Sequence, residues 1–400
     1  MSNSNRLPKG WEIKKLGEIC EIVYGKGLLT KNLKDNGFPV FGANGIIGFN
    51  DKYLYEETKV LISCRGAYSG KINFSPPKCY VTNNSLVLDV KRKNELDKYY
   101  LFYSLGAAKK TKLVTGTAQP QVTINNAVEL EIPLPPIKVQ QAIVSKIEEL
   151  FSELDKGIED LKTAQHQLKI YRQSVLKWAF EGKLTNDNIK DEELPKEWEL
   201  NKLGEYILNI SSGKSFRCEE RPPNKDEVGI VKVSSVTWGF FDEMQSKTCF
   251  SKDLLNEKYL INKGDFLFSR ANTIELIGSC VIVHNVEKTL MLSDKILRFI
   301  FVKDISKEYV LYYLRSRKGR KQIESLSTGN QDSMRNIGQE KIKQIKFPYC
   351  TLKEQLQIVQ EIENRLSVAD KMEESIAQSL LQAEALRQSI LKKAFSGKLI

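Results

Sequence analysis

The chain has 400 residues, of which 41% are hydrophobic and 28% charged, a balance that suits a folded globular protein and excludes a low-complexity one. Its net charge of +11 points to a polyanionic partner, and no apolar run approaches the ~20 residues needed to span a bilayer. Seven scattered cysteines without a C-x-x-C pair, behind a polar N-terminus, predict reduced thiols in the cytoplasm and no disulfide frame or zinc site.

The first block, 1–136, holds 19 Lys+Arg against 12 Asp+Glu, a net +7. It opens on LPKGWEIKKLGE at Leu7. Runs such as VLISCRGAYSGKINF, β-branched and aromatic and broken by Gly and Asn, predict strands and turns. DKYYLFYSLGAAKK predicts a helix, followed by the loop TGTAQPQ.

Pro135 and Pro136 then introduce a long helix over 137–184. Residues 137–181 balance 7 basic against 7 acidic groups. A seven-residue ladder runs Ile147, Leu154, Leu161, Leu168, Val175, with Leu150, Gly157, Ala164, Tyr171 and Trp178 as companions, which is a coiled-coil period. Gly182 stands where a left-handed C-cap is expected.

The second block, 185–350, starts again on LPKEWELNKLGE at Leu194, identical to the first opening at 9 of 12 positions. Residues 182–350 hold 28 basic against 24 acidic groups, a net +4. YLINKGDFLFSRANTIELIG and KILRFIFV predict strands, SKEYVLYYLRSRKGRK a helix, and STGNQDS a loop. A second neutral helix follows over 351–400, with 7 basic against 7 acidic groups. Thr351 and Glu354 form a capping-box pattern at its start. Its ladder, Ile362, Ala369, Ile376, Ala383, Ile390, repeats the first at an offset of 215. RQSVLKWAFEGKL (172–184) and RQSILKKAFSGKL (387–399) agree at 10 of 13 positions, with Gly397 as the second C-cap. The expected architecture is α+β: two mixed α/β domains, 1–136 and 185–350, separated by two long helices in an antiparallel coiled coil, with an internal pseudo-twofold repeat. Roughly 45 residues per helix at 1.5 Å rise make a rod on the order of 65 Å.

Catalytic machinery is not legible. Gly213-Lys214-Ser215 ends like a phosphate-binding loop, but Leu208 replaces the required glycine. Gly25 and Gly27 precede Thr30 where a dinucleotide fingerprint needs its third glycine. His166 and His284 have no partner set for metal or nucleophilic chemistry. No cofactor or metal is expected in this chain.

Loops carry residue types suited to base edges, where Arg pairs with guanine and Asn or Gln with adenine. In the first block these are Tyr24, Lys26, Asn44, Arg65, Ser69, Lys71, Gln119 and Gln121. In the second they are Lys214, Arg217, Lys232, Ser234, Ser235, Trp238, Ser269, Arg270, Asn272, Thr273 and Gln331, with Asp332 beside it. Arg315, Arg317, Lys318, Arg320 and Lys321 suit phosphates, with Lys109, Lys110 and Lys112 in the comparable place of the first block.

The paired starts LPKGW and LPKEW, IPLPPIKVQQAIV before the first helix, the paired endings AFEGKL and AFSGKL, and GDFLFSR at 264–270 together resemble the specificity (S) subunit of type I restriction–modification systems, over the whole chain. The resemblance implies two target recognition domains, each reading one half of a split, asymmetric site on double-stranded DNA. It implies helices that set the unread spacer and dock two methyltransferase subunits, with up to two restriction subunits joining. S-adenosylmethionine then belongs to the methyltransferase partner, and ATP with magnesium to the restriction partner. One departure is Trp178, which is Lys393 in the second copy, so the two docking surfaces differ. The alternatives are a coiled-coil scaffold that binds proteins, or a specificity subunit of a methylation-only defence system.

Overall fold

The computed structural model describes residues 7–108, 113–116, 120–186, 189–190 and 193–400. Two compact units divide it. One comprises Met1–Thr163 with Ile376–Ile400, the other Ala164–Ser375.

The first unit contains β1 (Glu12–Lys15), α1 (Leu16–Ile19), β2 (Cys20–Tyr24), β3 (Phe38–Phe41), β4 (Ile46–Asn50), β5 (Val60–Ser63), β6 (Ile72–Phe74), β7 (Tyr80–Val81), β8 (Ser85–Val90), α2 (Lys98–Ala107), α3 (Ile124–Val128) and β9 (Glu131–Leu134). The helix α4 (Ile137–Ala179) begins here. The main sheet has the order β2-β8-β5-β6 and is antiparallel throughout. All four residues of central β5 are buried, as expected of a strand covered on both faces. A smaller sheet, β4-β3-β7, contains one parallel pair, and β1 with β9 forms a ribbon.

The second unit repeats the plan. Its elements are β10 (Glu199–Lys202), β11 (Ile207–Ser212), β12 (Cys218–Glu219), β13 (Val228–Val231), β14 (Ser246–Cys249), β15 (Phe266–Ser269), β16 (Ala271–Asn272), β17 (Cys280–Ile282), β18 (Thr289–Met291), β19 (Ile296–Phe301), α5 (Lys307–Arg315), α6 (Arg317–Leu326), β20 (Thr328–Gln331), β21 (Met334–Asn336), α7 (Gln339–Lys343), β22 (Lys346–Tyr349) and the start of α8 (Leu352–Ala394). The sheet β11-β19-β15-β17 matches β2-β8-β5-β6, and ribbon β10·β22 matches β1·β9. The parallel pair β13·β18 matches β3·β7. The hairpin β20·β21 extends to β16, where the first unit has the single bridges Thr115↔Gln121 and Arg65↔Gln121.

Within each unit the two long helices run antiparallel. In the first unit Ile143 and Ile147 from the start of α4 share a core with Ile390 and Ala394 from the end of α8. In the second, Val175 and Ala179 from the end of α4 share one with Ile358 and Ile362 from the start of α8. The duplicated motifs make duplicated contacts. Phe395 meets the ring of Tyr100 edge-on at 5.3 Å, and Phe180 meets that of Tyr309 at 5.2 Å, contacts worth about 0.5–1.5 kcal/mol beyond burial. Tyr100 Oη donates to the carbonyl of Pro133 at 2.7 Å, and Tyr309 Oη to that of Pro348 at 2.8 Å.

Two buried glutamines lock the helix starts. Gln140 Oε1 accepts the Asp97 N–H at 2.9 Å while its Nε2 donates to the Pro135 and Glu95 carbonyls at 2.8 Å. Gln355 Oε1 accepts the Ser306 N–H at 2.8 Å and its Nε2 donates to Cys350 O at 2.8 Å. Both glutamines are fully buried, and Asp97 and Ser306 are themselves the N-caps of α2 and α5.

The helix ends close as Schellman turns. Lys183 N–H donates to Trp178 O and Lys398 N–H to Lys393 O, each at 2.9 Å, with Gly182 at φ +78° and Gly397 at φ +69°. A Cβ on Gly182 would lie 2.4 Å from Pro195 Cγ, and one on Gly397 2.1 Å from Pro8 Cγ. The repeated Leu-Pro-Lys opening therefore packs on the repeated Gly-Lys-Leu ending.

Two expectations need correction. The capping box at α8 is half made: Glu354 N–H donates to Thr351 Oγ1 at 3.4 Å, but the Glu354 carboxylate accepts from Thr185 Oγ1 and Asn186 Nδ2, each at 3.1 Å. Competing donors after α4 capture it. The stretch 306–321 is not one helix, because Ser316 breaks it and caps α6 through the Gly319 N–H at 3.2 Å. A Cβ at Gly319 would lie 2.1 Å from Tyr313 O, so this sharp corner requires glycine.

Candidate nucleic-acid interface

In the first unit, β5 delivers the chain into the loop Cys64–Lys71, and the closing loop returns to meet it. Thr115 and Gln121 exchange backbone hydrogen bonds at 2.9 Å, and Val122 N–H donates to Cys64 O at 3.0 Å. Arg65 and Gln121 stand opposite each other as an antiparallel bridge, with both side chains exposed. Ser69 Oγ donates to Pro120 O at 2.6 Å, so this hydroxyl serves to join the loops. Asn44 is exposed in the β3–β4 turn, which is tied to the end of β5 by the Ser63 hydroxyl on Ala43 O and to β8 by Ser85 Oγ on Gly42 O at 2.8 Å. The fold thus gathers Asn44, Arg65, Ser69 and Gln121 from three separate places in the sequence.

Tyr24 and Lys26 are exposed at the end of β2, where Lys26 N–H donates to Val81 O at 3.0 Å. A Cβ on intervening Gly25 would lie 2.2 Å from Thr82 O. Lys71 lies 5.8 Å from the Tyr68 ring and borders an open groove of about 800 Å³, whose walls include Phe102, Tyr103, Phe151 and Arg387. Gln119, Lys109, Lys110 and Lys112 lie outside the described residues.

In the second unit β15 delivers the chain into Arg270–Ile277. Asn272 pairs with Arg335 and Ala271 with Asn336. Ile337 N–H donates to Arg270 O at 2.9 Å and Ile274 N–H to Asp332 O at 2.8 Å. Arg270, Asn272, Thr273 and exposed Gln331 are thereby brought together. Lys214 and Arg217 are exposed after β11, and Trp238 is 63% exposed in the turn before β14.

Other candidates are engaged internally. Ser235 and Ser269 are fully buried and donate to Lys232 O at 2.8 Å and Ala271 O at 3.3 Å. Ser234 Oγ donates to Gln245 Oε1 at 2.9 Å, and Lys232 Nζ sits 3.1 Å from Glu220. Arg315 Nη2 donates to Gly239 O and Cys280 O, both at 2.8 Å. Arg320 donates to the carbonyls of Ile277, Ile274 and Glu275, and burial lowers its pKa from the usual guanidinium range. Lys318 Nζ lies 3.6 Å from buried Glu181, whereas Arg317 and Lys321 are exposed.

Sequence reasoning missed Arg335, whose Nη1 and Nη2 hold Gly329 O at 2.9 Å and Ser327 O at 2.8 Å. Nothing in the sequence distinguishes this hairpin-bracing arginine from a solvated one. Among the described residues no group of three or more His, Cys, Asp or Glu side chains is placed to hold a metal, and no helix is long and apolar enough to cross a membrane. Burial pushes Cys20, Cys249 and Cys350 up to about 12 and Cys79 and Cys280 up to about 11, away from thiolate chemistry.

The family model for the type I restriction modification DNA specificity domain matches residues 8–162 and 195–382. The chain is 24% identical to the type I restriction enzyme EcoKI specificity subunit of Escherichia coli K12, over 99% of this chain and 91% of that one. It is 26% identical to the MjaVIII specificity subunit of Methanocaldococcus jannaschii, over 98% and 94%. Among solved structures, a chain described for complex assembly and conformational transition of the type I R-M system superposes with a TM-score of 0.71 at 20% identity, covering 98% of this chain and 99% of that one. The HsdS subunit from Thermoanaerobacter tengcongensis superposes with a TM-score of 0.60 at 18% identity, covering 99% of each. At these identities the superpositions speak to the fold.

Proposed function

The chain belongs to the type I restriction modification DNA specificity family, and from that premise we propose that it is the non-catalytic subunit that gives a type I complex its DNA sequence. Each unit reads one half of a bipartite, asymmetric site in double-stranded DNA. The single observation that carries this reading is a contrast. Paired motif residues make the same contacts in both units, while exposed loops at equivalent places differ: residues 42–45 join β3 to β4, whereas 232–245 join β13 to β14. A frame repeated under two different reading surfaces suits one complex facing two different half-sites.

Within that reading, Asn44, Arg65 and Gln121 contact base edges in the first half-site, with Tyr24, Lys26 and Lys71 around them. Arg270, Asn272, Thr273 and Gln331 contact those in the second, flanked by Lys214 and Arg217. Arg317 and Lys321 bind phosphates. Ser69, Ser234, Ser235, Ser269, Lys232, Arg315 and Arg320 shape the loops and do not touch bases. The complex works in the cytoplasm, where the host DNA and reduced thiols are found.

The two long helices dock two methyltransferase subunits, which bring S-adenosylmethionine; up to two restriction subunits bring ATP and magnesium. Supporting this, both helices carry exposed apolar side chains without a cover in this chain. They are Leu381 and Leu386 in the first unit and Ile170, Val368 and Met372 in the second. Arg65→Ala with Gln121→Ala should relax one half-site only, and Arg270→Ala with Asn272→Ala only the other, each lost bidentate contact costing about 1–3 kcal/mol of discrimination. Relaxation of both halves by either pair would refute the independent-unit reading.

A further inference from the structure

Arg315 and Arg320 stand on either side of the corner at Ser316, and both spend their guanidinium groups on loop carbonyls. Arg320 holds the loop that follows Arg270. Arg315 holds Gly239 O, the centre of the turn before β14, at 2.8 Å. That turn is further braced by Asp242 N–H on Ser235 O at 3.0 Å and Thr237 Oγ1 on Val233 O at 3.0 Å. Beneath it, Val236 is buried in one core with Leu267 of β15, the strand that leads into Arg270.

On this fixed turn, Trp238 is 63% and Phe240 60% exposed. Large aromatic side chains held out to solvent by a braced backbone mark a contact surface. The topologically equivalent hairpin of the first unit, β3–β4, also presents apolar side chains, Ile46 at 54% and Ile47 at 50%. Each hairpin follows a strand that pairs antiparallel on one side and parallel on the other.

We propose that Trp238 and Phe240 stack on bases of the half-site read by the second unit, and that Arg315 is the residue that positions them. The proposal deepens the DNA assignment above and rests on it. Nucleic acid fits this surface because the same short helical corner that anchors the turn also anchors the Arg270–Ile277 loop and carries exposed Arg317 and Lys321. In a duplex the base faces cover one another, so the two rings enter as a wedge at one base step that opens to take them, with Arg317 and Lys321 beside it for the phosphates. The contact is tolerant of base identity, so it holds and orients the duplex while the polar loop side chains read it.

The test uses the chain assembled with its methyltransferase subunits and a duplex carrying the bipartite site. Subtracting the emission of a Trp238→Phe complex from that of the unaltered complex isolates Trp238. Its emission should be quenched on adding the duplex. Trp238→Ala should weaken binding several-fold, with Trp238→Phe restoring most of the loss. Arg315→Ala should weaken binding similarly, and the double variant should be no weaker than the worse single, because a positioning role is not additive with what it positions. Unchanged emission with binding by Trp238→Ala within twofold would overturn the proposal. So would normal DNA affinity with loss of methyltransferase from the Trp238→Ala complex, which would make the turn a protein-docking surface. An unaltered complex that does not bind the duplex would instead overturn the DNA assignment itself, and the proposal with it.

Discussion

Arg172 Nη2 lies 2.6 Å from Asp370 Oδ1, joining the end of α4 to the start of α8 in the second unit. In the first unit Arg387 pairs with Asp155, and both members of the pair differ from their counterparts by 215 positions. The near-copied segments that begin at Arg172 and Arg387 therefore perform the same act twice: each lays its arginine across the facing helix. Arg387 also covers the Phe151 ring at 4.5 Å, and Arg172 reaches Glu373 at 2.8 Å.

Because the acidic partners are largely exposed, these pairs set helix register more than stability. Arg172→Ala and Asp370→Ala should each cost at most about 1 kcal/mol, with a coupling of about 0.2–1 kcal/mol in a double-mutant cycle. Denaturant unfolding checks this. A coupling above about 3 kcal/mol would mean the pair behaves as a buried one.

The buried glutamines should matter more. Gln355→Leu removes the acceptor for Ser306 N–H and the donor for Cys350 O, leaving two buried backbone groups unpaired at about 1–3 kcal/mol each. Gln140→Leu does the same to three groups in the first unit. Unfolding midpoints should fall for both, and Gln→Glu should not restore them.

Gly182→Ala and Gly397→Ala should each destabilise by about 1–3 kcal/mol, since a Cβ at a positive φ also strikes the facing proline. Pairing either with Pro195→Ala or Pro8→Ala, respectively, should recover part of the loss by removing the clash. Thermal unfolding separates the two contributions.

Burial holds the thiols of Cys20, Cys249 and Cys350 protonated up to about 12. A folded-state pKa raised above the unfolded value of about 8.5 gives stability that is complete below that value and is lost as pH rises towards 12. A thiol-reactive dye at pH 8 should therefore label half-exposed Cys218 first, and all seven cysteines only after unfolding.

The helices and the repeat were legible because period and duplication are local properties of sequence. The seven-residue ladder and the Gly182 and Gly397 caps needed no tertiary knowledge. The proposed DNA-facing loops were legible only by residue type. Arg315 and Arg317 look alike in sequence, yet one is consumed by Gly239 O and Cys280 O and the other is exposed. Likewise Ser269 follows GDFLF as an apparent loop residue but is fully buried at the end of β15. The carbonyls that consume Arg315 come from more than 30 positions away, and Ser269 is buried by the strands paired on either side of β15, so no short window contains the cause of either.

Reading of two half-sites in one DNA sequence is measured most directly by a genome-wide map of methylated adenines in a host without other modification, expressing this chain with its methyltransferase. One two-part motif with a constant unread gap should appear, and should be absent when this chain is omitted. An assembled complex that binds S-adenosylmethionine yet adds no such motif, or one whose motif is continuous, would contradict that reading.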